Sequence, residues 1–292
     1  MWYLLLSVLS STLVVLIFKG FSIFRIDAFQ AIVYNYFVCV LCAWATLGRF
    51  PVHPGTVQEP WFPLALLLGF IFIVGFNIIA ATVHHFNVTI AAVMQKMSLV
   101  LTVIYTIILY NESTGLYKIL GILMAIGAIA MTNYREKAVE DATHSSRSWI
   151  VLALPFLTLF LSALIEIILF EVEQMNEVNA DLGFIALLFG TAGLLGSIRL
   201  IFLLVRRHTT FRWKDLGAGM LLGVPNFFSI YFLLRVIGVG WEGSIVFPIN
   251  NVGIIALSAI LAWIIFREKL NRVNILGVIC AIIAIVLIAI SR

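Results

Sequence analysis

Apolar residues run through this chain in long blocks, and the polar residues are gathered into short breaks between them. A membrane-spanning helix needs roughly 20 consecutive, mostly apolar residues. Ten blocks meet that length: 2–18, 28–47, 61–83, 88–110, 115–133, 149–170, 182–205, 214–236, 242–266 and 272–290. The longest polar break, 134–148, leaves five blocks on either side. The pattern predicts an all-α integral membrane protein with ten transmembrane helices. The first block lacks a basic lead-in and a small-residue cleavage site, so it reads as a retained helix, not a removed signal peptide.

The blocks also repeat. Shifting residues 95–131 forward by 156 positions sets Glu112 on Glu268 and Ile119-Leu120-Gly121 on Ile275-Leu276-Gly277. Ala125, Ile126, Ala128 and Ile129 then meet the identical Ala281, Ile282, Ala284 and Ile285, while Gln95 meets Asn251 and Thr102 meets Ser258. With five helices per half, an odd number, the second half enters the membrane from the opposite side. The expected organisation is two inverted five-helix repeats, 1–133 and 149–292, joined by the linker 134–148, which is the plan of many secondary transporters.

Composition sharpens this picture. Hydrophobic residues make up 63% of the chain and charged residues 11%, where soluble domains carry about 25% charged residues. The short breaks leave no room for a soluble catalytic or nucleic-acid-binding domain. The net charge of +4 needs no acidic partner, because loop Lys and Arg hold loops on the cytoplasmic side. The loops after segments 1, 5, 7 and 9 carry eleven basic residues, against four on the other face (Arg49, Lys118, Arg235 and Arg292). That asymmetry places both termini outside the cytoplasm. Cys39, Cys42 and Cys280 sit in apolar blocks; with no second Cys pair or nearby His they read as buried thiols, not a metal site. Trp2, Tyr3, Trp61, Trp149 and Trp213 stand at block starts, where an aromatic belt sits at headgroup level.

Polar side chains at membrane depth are costly, so their placement is the best guide to a substrate path. Segment 4 carries Asn87, Gln95, Ser98, Thr102 and Tyr105, with Ala91 in the gap. Those steps of three and four residues form one helix face. A ladder of structural hydrogen bonds would have the same spacing. Segment 6 carries Thr158, Ser162 and Glu166, and segment 1 carries Ser7, Ser11 and Lys19, each on a four-residue ladder. One equivalent helix thus ends its ladder in an acid and the other in a base. Lys19, Lys96 and Glu166 are the candidate charges for coupling or attraction. A buried carboxylate can carry a proton, and the competing reading of each charge is a side chain reaching for headgroup water.

Two breaks are expected inside helices of the second half, at Gly223-Val224-Pro225-Asn226 and Pro248-Ile249-Asn250-Asn251. Proline removes a backbone donor and kinks its helix, and an adjacent Asn offers two donors and an acceptor. Asn226, Asn250 and Asn251 are therefore candidate substrate contacts, and Asn77 after Gly75 is a softer version in the first half. Tyr34, Tyr105, Tyr231 and Trp241 are candidate aromatic walls; plain packing is the competing reading of each.

The end of the duplicated unit carries a family resemblance. Ile107-Ile108-Leu109-Tyr110-Asn111-Glu112 and Trp263-Ile264-Ile265-Phe266-Arg267-Glu268 each finish an apolar run in a Glu, and a Gly follows nine residues on. In this the chain resembles the drug/metabolite transporter superfamily and, within it, the ten-helix EamA-type permeases. It departs from the family pattern at Asn111 and Arg267, where Gly is common, and in lacking the family's proline in segment 4. The resemblance implies a secondary transporter, often an exporter, of amino acids, other small metabolites or drugs. Relatives that exchange nucleotide sugars or sugar phosphates supply the alternative substrate class. It also implies cytoplasmic termini, against the loop-charge reading.

The expected function is alternating-access export of a small organic metabolite, with proton coupling through a buried carboxylate as one route. The candidate pocket is polar-neutral and aromatic with few charges. It suits a zwitterionic or weakly polar metabolite better than a multiply charged phosphate, which calls for several Arg or Lys together. No P-loop pattern is present, so ATP coupling is not expected, and neither is any cofactor. No HExxH or GxSxG pattern points to a membrane enzyme. A non-transporting membrane protein would leave the polar ladder without a purpose. The expected partners are the substrate, the bilayer and protons, not nucleic acid. The expected state is a monomer or homodimer in the bacterial inner membrane.

Overall fold

All ten apolar blocks are α-helices in the computed structural model, which describes residues 1–86, 88–134, 149–175, 182–267 and 271–291. They are α1 (Trp2–Ile23), α2 (Ala28–Leu47), α3 (Phe62–His85), α4 (Val88–Tyr110), α5 (Leu116–Thr132), α6 (Trp149–Met175), α7 (Leu182–Val205), α8 (Trp213–Gly238), α9 (Gly243–Phe266) and α10 (Arg272–Ile290). Among the described residues nine are long and apolar enough to cross a membrane. The tenth, α5, has 17 residues and spans about 25 Å, close to the hydrocarbon thickness. The chain is a multi-pass integral membrane protein.

Two helices outrun their apolar blocks. α1 continues past Lys19 to Ile23 and α6 past Phe170 to Met175. No proline stops either one, and Lys and Glu are good helix formers. The expected breaks around Pro225 and Pro248 are absent, since α8 and α9 run through both prolines as continuous helices. Neighbouring residues hold each turn in place. The Gly223 carbonyl accepts from the Cys39 thiol at 3.4 Å, and Pro248 through Asn251 is wholly buried. A proline that loses one bond is tolerated in such packing.

The chain forms two compact units, whose boundaries fall inside α3, inside α6 and between α8 and α9. The first unit is Met1–Ile73 with Ile168–Gly240; the second is Val74–Ile167 with Trp241–Arg292.

In the first unit α8 packs against α1 and α2, and α2 also packs against α7. The α2–α8 seam is a backbone approach. A Cβ on Gly219 would lie 2.5 Å from the Ala31 carbonyl oxygen, and one on Gly223 would lie 2.5 Å from Val38 Cβ. Asp27 caps α2 by accepting from the backbone of Phe29 and Gln30. Asp215, at the start of α8, accepts from the Asp27 backbone N–H at 3.0 Å and is itself paired with Arg212 at 2.7 Å. Lys214 donates to the Phe24 and Arg25 carbonyls beyond the end of α1.

In the second unit α5 and α10 run antiparallel. A Cβ on Gly121 would meet Ile288, and one on Gly277 would meet Thr132. These two contacts exchange under the 156-residue shift that relates Gly121 to Gly277. The core around them is rich in alanine: Ala125, Ala128, Ala256, Ala281 and Ala284, with Leu99, Ile129, Val252 and Val278. Small side chains let helices approach in lipid, where no hydrophobic drive between helices exists. Asn274, near the start of α10, donates to the carbonyls of Met131, Thr132 and Tyr134 at the end of α5. Open carbonyls at a helix end require such partners.

Candidate functional site

A connected polar array lies inside the second unit, built by three helices. Thr102 of α4 donates its hydroxyl to Glu166 Oε2 of α6 at 2.7 Å. Asn251 of α9 donates Nδ2 to Glu166 Oε1 at 2.7 Å. Lys96 of α4 donates Nζ to Asn251 Oδ1 at 3.0 Å. Ser98, one turn before Thr102 on the same face of α4, is fully buried, and its hydroxyl has no hydrogen-bond partner among the described residues. Both glutamate oxygens are thus engaged, each by a different helix.

The local sequence explains the arrangement. Ser98 and Thr102 are four apart on α4 and share a face, so their hydroxyls line up toward α6. Lys96 lies two residues earlier, round the helix, and its long stem reaches Asn251. Glu166 ends the α6 ladder of Thr158 and Ser162. Thr158 in turn hydrogen-bonds Thr82 of α3 at 2.9 Å. A lone carboxylate or ammonium at membrane depth is costly. Here the acid and the base lie two hydrogen bonds apart, and the array carries no formal net charge.

The remaining sequence candidates divide between the units. Asn77, Gln95, Tyr105, Trp241 and Asn250 belong to the second unit with the array; Trp241 and Asn250 are buried and the other three half-buried. Asn251 is bonded by Lys96, while Gln95, its counterpart under the repeat, makes no hydrogen bond to the array among the described residues. Lys19, Tyr34, Asn226 and Tyr231 belong to the first unit. Asn226 donates to Asn35 Oδ1 of α2 at 3.1 Å, and the Tyr34 ring meets Phe211 edge-on. Asn87 and Glu268 fall outside the described residues.

A second polar cluster joins the α4–α5 turn to the start of α9. The Glu112 carboxylate accepts from the backbone N–H groups of Gly243 and Ser244 at 2.6 and 2.8 Å. Those are first-turn donors of α9 that no intrahelical carbonyl can reach. Lys118 is fully buried, and its three protons go to Glu242, Ser113 and Ser244. Burial pushes the Glu242 carboxyl up, but its bond to Lys118 and the one from Ser113 outweigh that and hold it below the ordinary value. Sequence reasoning placed Glu112 at its own turn and Lys118 among loop charges. The signal for Lys118 was its position three residues into an apolar helix, where a base requires a partner.

The arrangement of a half-buried acid and base bridged by a buried amide, on three apolar helices, suits the binding of a polar solute within a membrane. The model of the EamA-like transporter family matches residues 1–134 and 174–290. The chain belongs to the EamA-like transporter family. That family is part of the drug/metabolite transporter superfamily, so this EamA-like protein is of the transporter type. An uncharacterised protein of Haemophilus influenzae is 25% identical over 263 residues, covering 88% of this chain and 86% of the relative. A solved crystal structure matches with a TM-score of 0.76 at 10% identity, covering 99% of this chain and 96% of the other. That likeness concerns the fold. The matched family stretches contain Lys96, Thr102 and Asn251, whereas Glu166 lies between them.

Proposed function

We propose that this EamA-like protein is a secondary transporter that exports small organic metabolites, such as amino acids or drug-like compounds, by alternating access. Its two halves, 1–133 and 149–292, act as inverted five-helix repeats around the linker 134–148, in the bacterial inner membrane. The interchange of the Gly121–Ile288 and Gly277–Thr132 contacts supports the duplication. The observation that carries the reading is the Lys96–Asn251–Glu166–Thr102 array. It offers a cation, an anion and an amide to one solute, which suits a zwitterion. A nucleotide sugar or sugar phosphate would call for several bases together, and the array has one.

Glu166 is the proposed proton site. Exchange of a proton for substrate at one carboxylate couples the two fluxes, because neither can leave its charge uncompensated at membrane depth. The test is counterflow in proteoliposomes against a set of labelled amino acids, with and without an imposed pH gradient. The triple variant Lys96→Met, Thr102→Val, Asn251→Leu should lose uptake. Glu166→Gln should lose the response to the gradient. Uptake that survives the triple variant would remove the array from the transport path.

A further inference from the structure

Near the end of α8 a base, Arg235, has no carboxylate partner among the described residues. Arg235 lies three residues before the last residue of α8, Gly238, or about 5 Å along the helix axis. Its guanidinium stands 5.2 Å over the Tyr231 ring, and Nε donates to the Tyr231 hydroxyl at 3.2 Å. Both residues are half-buried. No carboxylate pairs with Arg235 among the described residues, although Arg212 and Lys118 each have one.

The chemistry of this pair is directional. Because Nε–H donates to the phenol oxygen, the phenol keeps its own proton to give away. That proton and the four Nη–H protons of Arg235 have no protein acceptor among the described residues. The contact over the ring and the Nε bond together restrain the guanidinium. A guanidinium held this way matches an oxyanion with two parallel hydrogen bonds. The open carbonyls at the helix end offer this guanidinium only partial negative charge, so a half-buried guanidinium there still draws a full counter-charge. Tyr231 stacks on Phe227 at 5.7 Å, which gives the site an apolar wall.

Its depth is set independently. Phe232 of α8 stacks on Tyr3, in the first turn of α1, at 6.3 Å. Trp2 beside it is largely exposed, as an interfacial residue should be. The free end of Arg235 therefore lies near the headgroup level.

We propose that Arg235 and Tyr231 form an oxyanion site at headgroup depth. Its ligand is a phosphate or carboxylate, supplied by an anionic lipid or by a soluble anion of the same chemistry.

The test uses the purified full chain in nanodiscs, read by thermal unfolding. In phosphatidylcholine discs doped with phosphatidylglycerol the wild-type midpoint should rise relative to phosphatidylcholine alone. Arg235→Gln should weaken the apparent lipid affinity by about tenfold or more, and Tyr231→Phe, which keeps the ring, by less. Arg235→Lys keeps the charge without the fork and should fall between wild type and Arg235→Gln. If phosphatidylglycerol does nothing but benzoate or inorganic phosphate raises the wild-type midpoint in neutral discs, and Arg235→Gln abolishes that rise, the site takes a soluble oxyanion. If wild type responds to none of these probes, or the three variants respond as wild type does, the proposal is overturned.

Discussion

Lys96 and Glu166 are linked through a single side chain, the amide of Asn251, which accepts from the lysine at 3.0 Å and donates to the glutamate at 2.7 Å. The orientation of that amide is forced. An ammonium can only donate and a carboxylate can only accept. The oxygen must face Lys96 and the nitrogen Glu166, so the array reads in one direction only.

Asn251→Leu removes both bonds and leaves two charged groups short of a partner. Hydrogen bonds to charged groups contribute about 1.5–3 kcal/mol each. The variant should lose about 3 kcal/mol of unfolding free energy, measured by chemical denaturation in detergent. Asn251→Asp should be worse at neutral pH, because it sets a second carboxylate against Glu166. An Asp variant as stable as wild type would show that the array is not closed as described.

Glu112 acts as an N-cap for a helix to which it does not belong. Loss of an N-cap costs about 0.5–2 kcal/mol, and the charge-assisted bonds here put Glu112→Ala toward the upper end. Glu112→Gln keeps one acceptor and should recover part of the loss. Hydrogen exchange at the amides of Gly243 and Ser244 should speed up in both variants, more in the Ala variant.

The α2–α8 seam makes a steric prediction. Gly219→Val drives a side chain into the Ala31 carbonyl and should destabilise by about 1–3 kcal/mol. Gly217, two residues away on the same helix, faces open space. Gly217→Ala should be neutral or stabilise by up to about 1 kcal/mol, since alanine is the better helix former. Thermal unfolding of both variants in detergent distinguishes the seam from a general intolerance of α8.

The Lys118–Glu242 pair makes stability depend on pH. The Glu242 carboxyl is held below its ordinary value of 4.5 in the folded chain. A depressed carboxylate contributes stability that is complete above the ordinary value and is lost as pH falls through the folded one. Wild type should therefore exceed Glu242→Gln in thermal midpoint at pH 7, and the gap should close below about pH 4.5. A gap that widens on acidification would contradict the pairing.

Much of this was legible in the residues. Block length gave the ten helices, because every backbone polar group in lipid must be satisfied within its own helix. The face of α4 was legible because Ser98 and Thr102 keep helical spacing, and Glu166 because an acid at membrane depth is rare. Partners were less accessible. The 156-residue shift pairs Gln95 with Asn251, yet Lys96 makes the bond, since a long flexible side chain reaches beyond its own position on the helix. The prolines looked like breaks because the local rule counts only the lost donor. The packing that tolerates Pro225 and Pro248 comes from helices far away in sequence. Glu112 likewise caps a helix that begins more than a hundred residues later.

The make-up of the two units bears on how the chain is assembled. α1 and α2 pack against α8, and α5 packs against α10. A ribosome that has finished α5 has thus delivered four helices, α1, α2, α4 and α5, whose main neighbours do not yet exist. The first half must wait in the bilayer, its glycine faces and the buried base of Lys118 uncovered, until the second half is inserted. Each compact unit draws on both halves of the chain, so a chain truncated at the central loop should be a target for membrane quality control even though its hydrophobic segments are intact.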